Sequence, residues 1–247
     1  MTILIGTIHG DLCIKGYYQL DQALSLYKPK SISLEFPEGT DLAGRVHDVQ
    51  KKIDEDIDQL SEIALRPWVR ILAFESICSQ FYEGRAAYDY AQREGIPLHC
   101  VDHPSLVCPD LSLFPSLEKV IRNIEAIDPN IQSVIQSLPV EEVLKRFMVF
   151  GSTFYENPEL LKQWFAHLPV EVQKEFMISS SVDMDTREGY MAERILALEP
   201  ELHIGGIAHM SEEFSAAFLP GVVPLYRRLG SLVTERYPLA FACERRK

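Results

Sequence analysis

Four short apolar runs punctuate the chain: TILIG (2–6), SISLE (31–35), PLHCVD (97–102) and LHIG (202–205). Each is brief and bounded by Gly, Pro or polar residues, the pattern of a central strand covered on both faces. Between them, hydrophobic positions recur at helical spacing. Residues 17–27 place Leu20, Ala23, Leu24 and Tyr27 on one face. Residues 84–94 repeat Ala87, Tyr88 and Ala91, with Gly95 as a C-cap, and residues 186–198 align Met191, Ile195 and Leu198 ahead of Pro200. Strands alternating with helices predict βαβ units and an α/β fold, a mostly parallel sheet flanked by helices. Residues 222–226 and 239–242 are candidates for further strands at one edge.

Two stretches interrupt this rhythm. Residues 41–81 are charged at first and then apolar, which predicts one or two long helices. Residues 109–180 hold helical pieces punctuated by Pro115, Pro129, Pro139, Pro158 and Pro169. They read as a helical insertion, placed to cover the sheet's working edge, within a single domain spanning 1–247.

Composition narrows the classes. Hydrophobic residues make up 47% of the chain, enough for a full core. The formal net charge of -12 repels phosphate backbones, so nucleic acid is not expected as a partner. The five cysteines are scattered without a CxxC pair, which argues for reduced thiols rather than a disulfide scaffold or a zinc module. With no basic leader and no apolar run near the roughly 20 residues of a membrane helix, the sequence predicts a cytoplasmic protein that makes no membrane contact.

Chemistry concentrates after the strands. The first leads into Gly6-Thr7-Ile8-His9 and the second ends in Glu35. The third ends in Asp102-His103, and the fourth leads into Gly206-Ile207-Ala208-His209. In a parallel sheet these ends share one edge, where open α/β proteins bind ligands. Two histidines and two carboxylates meeting there would suit a divalent metal. The repeated Gly-x-x-His adds to this, a glycine permitting a tight turn that aims the histidine back over the strand end. HExxH, GxSxG, Walker and GxGxxG motifs are absent, which removes the commonest protease, serine hydrolase and nucleotide readings.

These residues, in this order, resemble the TraB/PrgY/Tiki group, described as metal-dependent proteases and pheromone-shutdown-type proteins. Its fold is related to that of ChaN and the erythromycin esterases. The matching pieces are GTIH ending in His9, SLEFPEG with Glu35, Glu83 ahead of AAYDYAQREG, and CVDH with Asp102. They continue with TREGYMAERI holding Arg187 and GGIAHM ending in His209. The chain departs from the group's pattern at His103, where arginine is usual, at Glu188, where aspartate is usual, and at Ser211-Glu212, where a glycine is usual. Residues 109–180 match no motif of the group.

The resemblance implies that His9, Glu35 and His209 ligate a divalent ion (Mn, Co or Zn). It implies catalytic roles for Glu83, Asp102 and Arg187, with Glu83 or Asp102 as general base or as a partner orienting a histidine. Arg187, at a helix start where the dipole opposes a cation, calls for an anionic partner. That partner could be Glu35, Asp102 or a substrate carboxylate, with a first-turn pair to Asp183 or Asp185 as the plainer alternative. His103 is a further candidate contact, and Tyr190 could turn its hydroxyl to the site. His47, His99, His167 and His203 read as structural or surface residues. The expected function is hydrolysis of a peptide or amide bond in a peptide or small-molecule substrate, with a homodimer open. Haem or iron binding, as in ChaN-like relatives, and a metal-free esterase-like hydrolase with a histidine base are the alternatives.

Overall fold

All four apolar runs are strands of one sheet. The computed structural model describes residues 1–8, 15–106, 115–127, 129–166 and 182–243. The chain starts with β1 (Thr2–Thr7), α1 (Gly16–Tyr27), β2 (Ile32–Pro37), α2 (Leu42–Glu62), α3 (Pro67–Cys78), α4 (Tyr82–Glu94) and β3 (Leu98–Asp102). Within the 109–180 stretch lie α5 (Leu117–Glu125), α6 (Pro129–Gln136), α7 (Val140–Phe154) and α8 (Pro158–Ala166). Next come α9 (Met184–Leu198), β4 (Leu202–Gly206), a 3-10 turn (Ile207–His209), α10 (Glu212–Phe218), α11 (Leu225–Leu229) and β5 (Val233–Pro238).

Local chemistry sets the boundaries. Asp41 caps α2 by accepting the Gly44 N–H, and Pro67 opens α3 where its missing N–H costs nothing. Gly95, at φ 65°, ends α4 in the left-handed region that glycine adopts without strain.

The sheet is parallel throughout, in the order β3-β2-β4-β1-β5. Thr7 lies opposite Gly206, and Leu34 opposite both Ile204 and Cys100. β4 therefore runs between β1 and β2, and the carboxyl ends of all these strands open on one edge, the usual place for a ligand in such a sheet.

Each face is covered, as the unbroken apolar runs require. On one side Ile5, Leu34, Leu202 and Ile204 pack with Leu20 and Leu24 of α1 and Ala86, Ala87 and Tyr90 of α4. On the other, Leu4 and Val101 meet Met191 and Ile195 of α9 and Leu225 and Leu229 of α11. Ser33 and His203 lie opposite each other on β2 and β4, and both are fully buried. Helices α2, α3 and α5 build a further cluster around Val49, Ile53, Ile77 and Val120.

The two edge-strand candidates are corrected. Of residues 222–226, Leu225 and Tyr226 begin α11, where Leu225 and Leu229 turn one helical face to the core behind Pro224. Leu239–Phe241 is a 3-10 turn whose Leu239 packs against the α1 side of the core. The fifth strand is VTERYP, mostly exposed and carrying Glu235 and Arg236, so no apolar run announces it. Among the described residues, no helix is long and apolar enough to cross a membrane.

Leu34 is fully buried at the centre of the sheet. Leu34→Ala should lower unfolding free energy in urea by about 2–5 kcal/mol. Leu196→Ala, at a position 47% exposed, should change it by less than about 0.5 kcal/mol. Equal effects would contradict this account of the core.

Candidate functional site

Three strands and one helix deliver the polar residues of the working edge. Glu35 projects from β2, Asp102 ends β3, and His209 closes the 3-10 turn after β4. Arg187 and Glu188 belong to the first turns of α9, whose start is fixed by Asp183 accepting the Thr186 N–H at 3.0 Å. Glu188 shares its helical face with Met191 and Ile195, so the stripe that buries α9 against the sheet also buries this carboxylate.

Arg187 ties the cluster together. Its Nε donates to Asp102 Oδ1 at 2.9 Å, and its Nη2 donates to Asp102 Oδ2 at 2.5 Å and to Glu35 Oε1 at 2.5 Å. The same Glu35 oxygen lies 3.0 Å from His209 Nε2, while Glu35 Oε2 accepts the Gly206 N–H at 2.5 Å. His209 Nδ1 bonds to Glu188 Oε1, and Glu188 Oε2 is buried without a partner. Asp102 Oδ1 also accepts the His103 N–H at 2.7 Å. The anionic partner demanded by Arg187 is thus Glu35 together with Asp102. Asp183 is spent on the helix cap, and Asp185 pairs with Arg228.

Charge in this cluster is uneven. Three carboxylates, Glu35, Asp102 and Glu188, have side chains no more than 4% exposed, and Arg187 is the one permanent cation among them. Burial opposes the charge of Arg187, but Glu35 and Asp102 outweigh it and hold the guanidinium firmly charged. Burial likewise opposes a charge on His209, yet Glu35 and Glu188 push its pKa up to about 10. His203, buried one residue into β4, is driven the other way, down to about 4, chiefly by burial. Its Nδ1 sits 2.9 Å from Ser33 Oγ, and its Nε2 has no partner.

After Gly206 the expected tight turn is the 3-10 turn Ile207–His209, while the stretch from His9 onward lies outside the described residues. Neither Gly6 nor Gly206 adopts a left-handed turn. Gly6 lets β1 approach the 3-10 turn, for a Cβ there would lie 3.2 Å from the Cα of Ile207. Gly206 gives its backbone N–H to Glu35.

Of the residues expected to act, Glu35, Asp102, Arg187 and His209 form one connected network. His9 lies outside the described residues, as does His167. Glu83 stands half-buried in the first turn of α4, beside Tyr82, whose hydroxyl donates to the Ile8 carbonyl at 3.2 Å. The Arg187 network runs through Glu35, Asp102, Glu188 and His209. Tyr190 bonds Glu38 and packs its ring 4.9 Å from that of His103, forming the rim with Arg194. A groove of about 360 Å³ continues from Glu38 between α4 and α9, lined by Tyr88, Gln92, Leu98 and Arg194; Glu35 and His209 do not line it.

Two further buried polar residues adjoin the network. His203 occupies an apolar strand covered on both faces, which excludes a surface role, and that much was readable. Glu188 repeats with Met191 and Ile195 at helical spacing, a weaker sign that it points inward.

Glu35 and His209 are donor types that a divalent ion accepts. Glu188 engages His209 through Nδ1, as a carboxylate does for a metal-ligating histidine, while Nε2 is engaged by Glu35. The excess of buried carboxylate also favours a cation. Among the described residues, no three His, Cys, Asp or Glu side chains are grouped to hold a metal, so the described donors are the pair Glu35 and His209. No protein-family profile, curated protein or solved structure matches the chain.

Removing the guanidinium would strand two buried carboxylates. Arg187→Met should therefore destabilise the fold by about 3–5 kcal/mol in urea unfolding. A loss below about 1 kcal/mol would mean that the network is not formed in solution.

Proposed function

We propose that the protein is a cytoplasmic, metal-dependent hydrolase of peptide or amide bonds, with Glu35 and His209 holding a divalent ion (Mn, Co or Zn). The observation that carries this is the chain Glu188–His209–Glu35, in which a buried carboxylate orients one imidazole nitrogen so that the other meets a second carboxylate. His9, two residues beyond the end of β1 in sequence, is the third ligand in this proposal, as the resemblance to the TraB/PrgY/Tiki group implies. When bound, the ion would polarise a substrate carbonyl and lower the pKa of a bound water toward about 7.

The chain's own residues have distinct tasks. Glu35 and Glu188 hold the His209 ring charged, so a cation would have to take the place of the Nε2 proton while Glu188 keeps the one on Nδ1. Arg187 and the Gly206 N–H hold Glu35 from both oxygens, which fixes the carboxylate before any ligand arrives. Asp102 is engaged through both oxygens by Arg187 and so serves as its anchor rather than as a base. The role of accepting a proton from water is assigned in this proposal to Glu83, as the resemblance implies. The groove beyond Glu38 gives an extended substrate a place to lie between α4 and α9.

A second reading has one observation in its favour. Arg187 already supplies Glu35 with a positive charge, so a metal-free centre with His209 as acid–base, oriented by Glu188, is chemically complete.

Elemental analysis and a peptide-library screen with added Mn²⁺ separate the two. The proposal predicts bound or recruitable metal, hydrolysis lost on exhaustive chelation and restored by the ion, and loss of both in His209→Ala. Glu188→Gln should weaken metal binding by about 10–100-fold. Full hydrolysis after chelation would support the metal-free centre instead, and a His209→Ala protein that keeps both metal and activity would dismiss either.

A further inference from the structure

We propose that His203 is a positioning residue of this centre, presenting its ring N–H to the Glu35 carboxylate across the small cell that Gly205 keeps open. The inference rests on the reading that Glu35 and His209 are the working pair. His203 stands inside β4 with no exposed surface, and one ring nitrogen, Nδ1, is satisfied by Ser33 Oγ at 2.9 Å. The other, Nε2, is buried with no partner. An unsatisfied buried polar atom costs about 1–3 kcal/mol, so its retention calls for a role.

The next residue but one shows where that nitrogen points. A Cβ placed on Gly205 would lie 2.7 Å from Glu35 Oε2, 3.0 Å from His203 Nε2 and 3.2 Å from Met210 Cε. Carboxylate and imidazole thus converge on the space that a side chain would fill, and glycine alone leaves it open. The proposed tautomer has the Ser33 hydroxyl donating to Nδ1 and the ring proton on Nε2, on the side of the oxygen already held by the Gly206 N–H. Oε2 is thus bonded by Gly206 and faced across the cell by a neutral ring N–H, and Oε1 is left to Arg187 and His209. A neutral donor suits this place because it directs the carboxylate without cancelling the negative charge that attracts a cation.

Three variants test this: His203→Leu, which removes the donor; His203→Gln, whose amide nitrogen can reach the place of Nε2; and Gly205→Ala, which fills the cell. The first readout is the two-bond ¹H–¹⁵N spectrum of histidine rings in metal-free protein, with circular dichroism to confirm folding. His203 should carry its proton on Nε2. The His209 ring signals should shift in His203→Leu and Gly205→Ala and stay near their wild-type positions in His203→Gln. The second readout is Mn²⁺ affinity by calorimetry, expected to fall about 10–100-fold in the first and last of these variants and to be largely kept in His203→Gln. Should His203→Leu not fold, Gly205→Ala and His203→Gln carry the same comparison. Unchanged His209 signals in folded His203→Leu or Gly205→Ala, or a His203 proton on Nδ1, would overturn the role. Wild-type protein that takes up no Mn²⁺ would instead defeat the metal reading, while the ring spectra still decide the part played by His203.

Discussion

The working edge depends on one guanidinium. Arg187 binds Asp102 through two nitrogens and Glu35 through one, joining the ends of β2 and β3 to the first turn of α9. Carboxylates on neighbouring strand ends repel one another, and burying them unpaired is costly. The planar fork of an arginine meets both at once, which the single charged point of a lysine does not. Once that bridge is in place, Glu35 has no freedom to turn away, and the geometry around His209 follows from it.

What the bridge leaves unbalanced is the source of the proposed chemistry. Glu188 adds a third buried carboxylate without adding a cation, and His209 lies between it and Glu35. The site's field therefore favours positive charge on the imidazole or beside it. Small residues make this crowding feasible. Gly206 offers a backbone N–H to Glu35, and Gly205 provides the space into which Glu35 and His203 both turn. A side chain at Gly205 would press on Glu35 and His203.

Much of this was legible in the sequence, for definite reasons. Strands covered on both faces must be continuously apolar, so β1 to β4 announced themselves, and a parallel sheet forces their carboxyl ends together. That placed Glu35, Asp102 and His209 at one edge, and the dipole argument gave Arg187 an anionic partner there. The fifth strand was hidden because it is an exposed edge carrying Thr234, Glu235 and Arg236, while the apolar Leu225 and Leu239 that suggested strands serve a helix and a 3-10 turn instead. That Arg187 takes both Asp102 oxygens is visible only in the geometry, since no spacing in the sequence pairs residues 85 positions apart. Glu188 and His203 were named in the sequence, but each sits in an apolar stretch with no motif to mark its contacts with His209 and Ser33. Of the two Gly-x-x-His glycines, Gly206 precedes the tight 3-10 turn that ends in His209, and Gly6 sits where a side chain would press on Ile207.

The central claim is that Glu35 and His209 form a cation-binding pair. Anomalous diffraction from crystals soaked in Zn²⁺ tests it most directly. The account predicts a peak about 2.0–2.2 Å from both His209 Nε2 and a Glu35 oxygen. Zinc bound elsewhere at saturating concentration, with Nε2 still resting directly on Glu35, would contradict it.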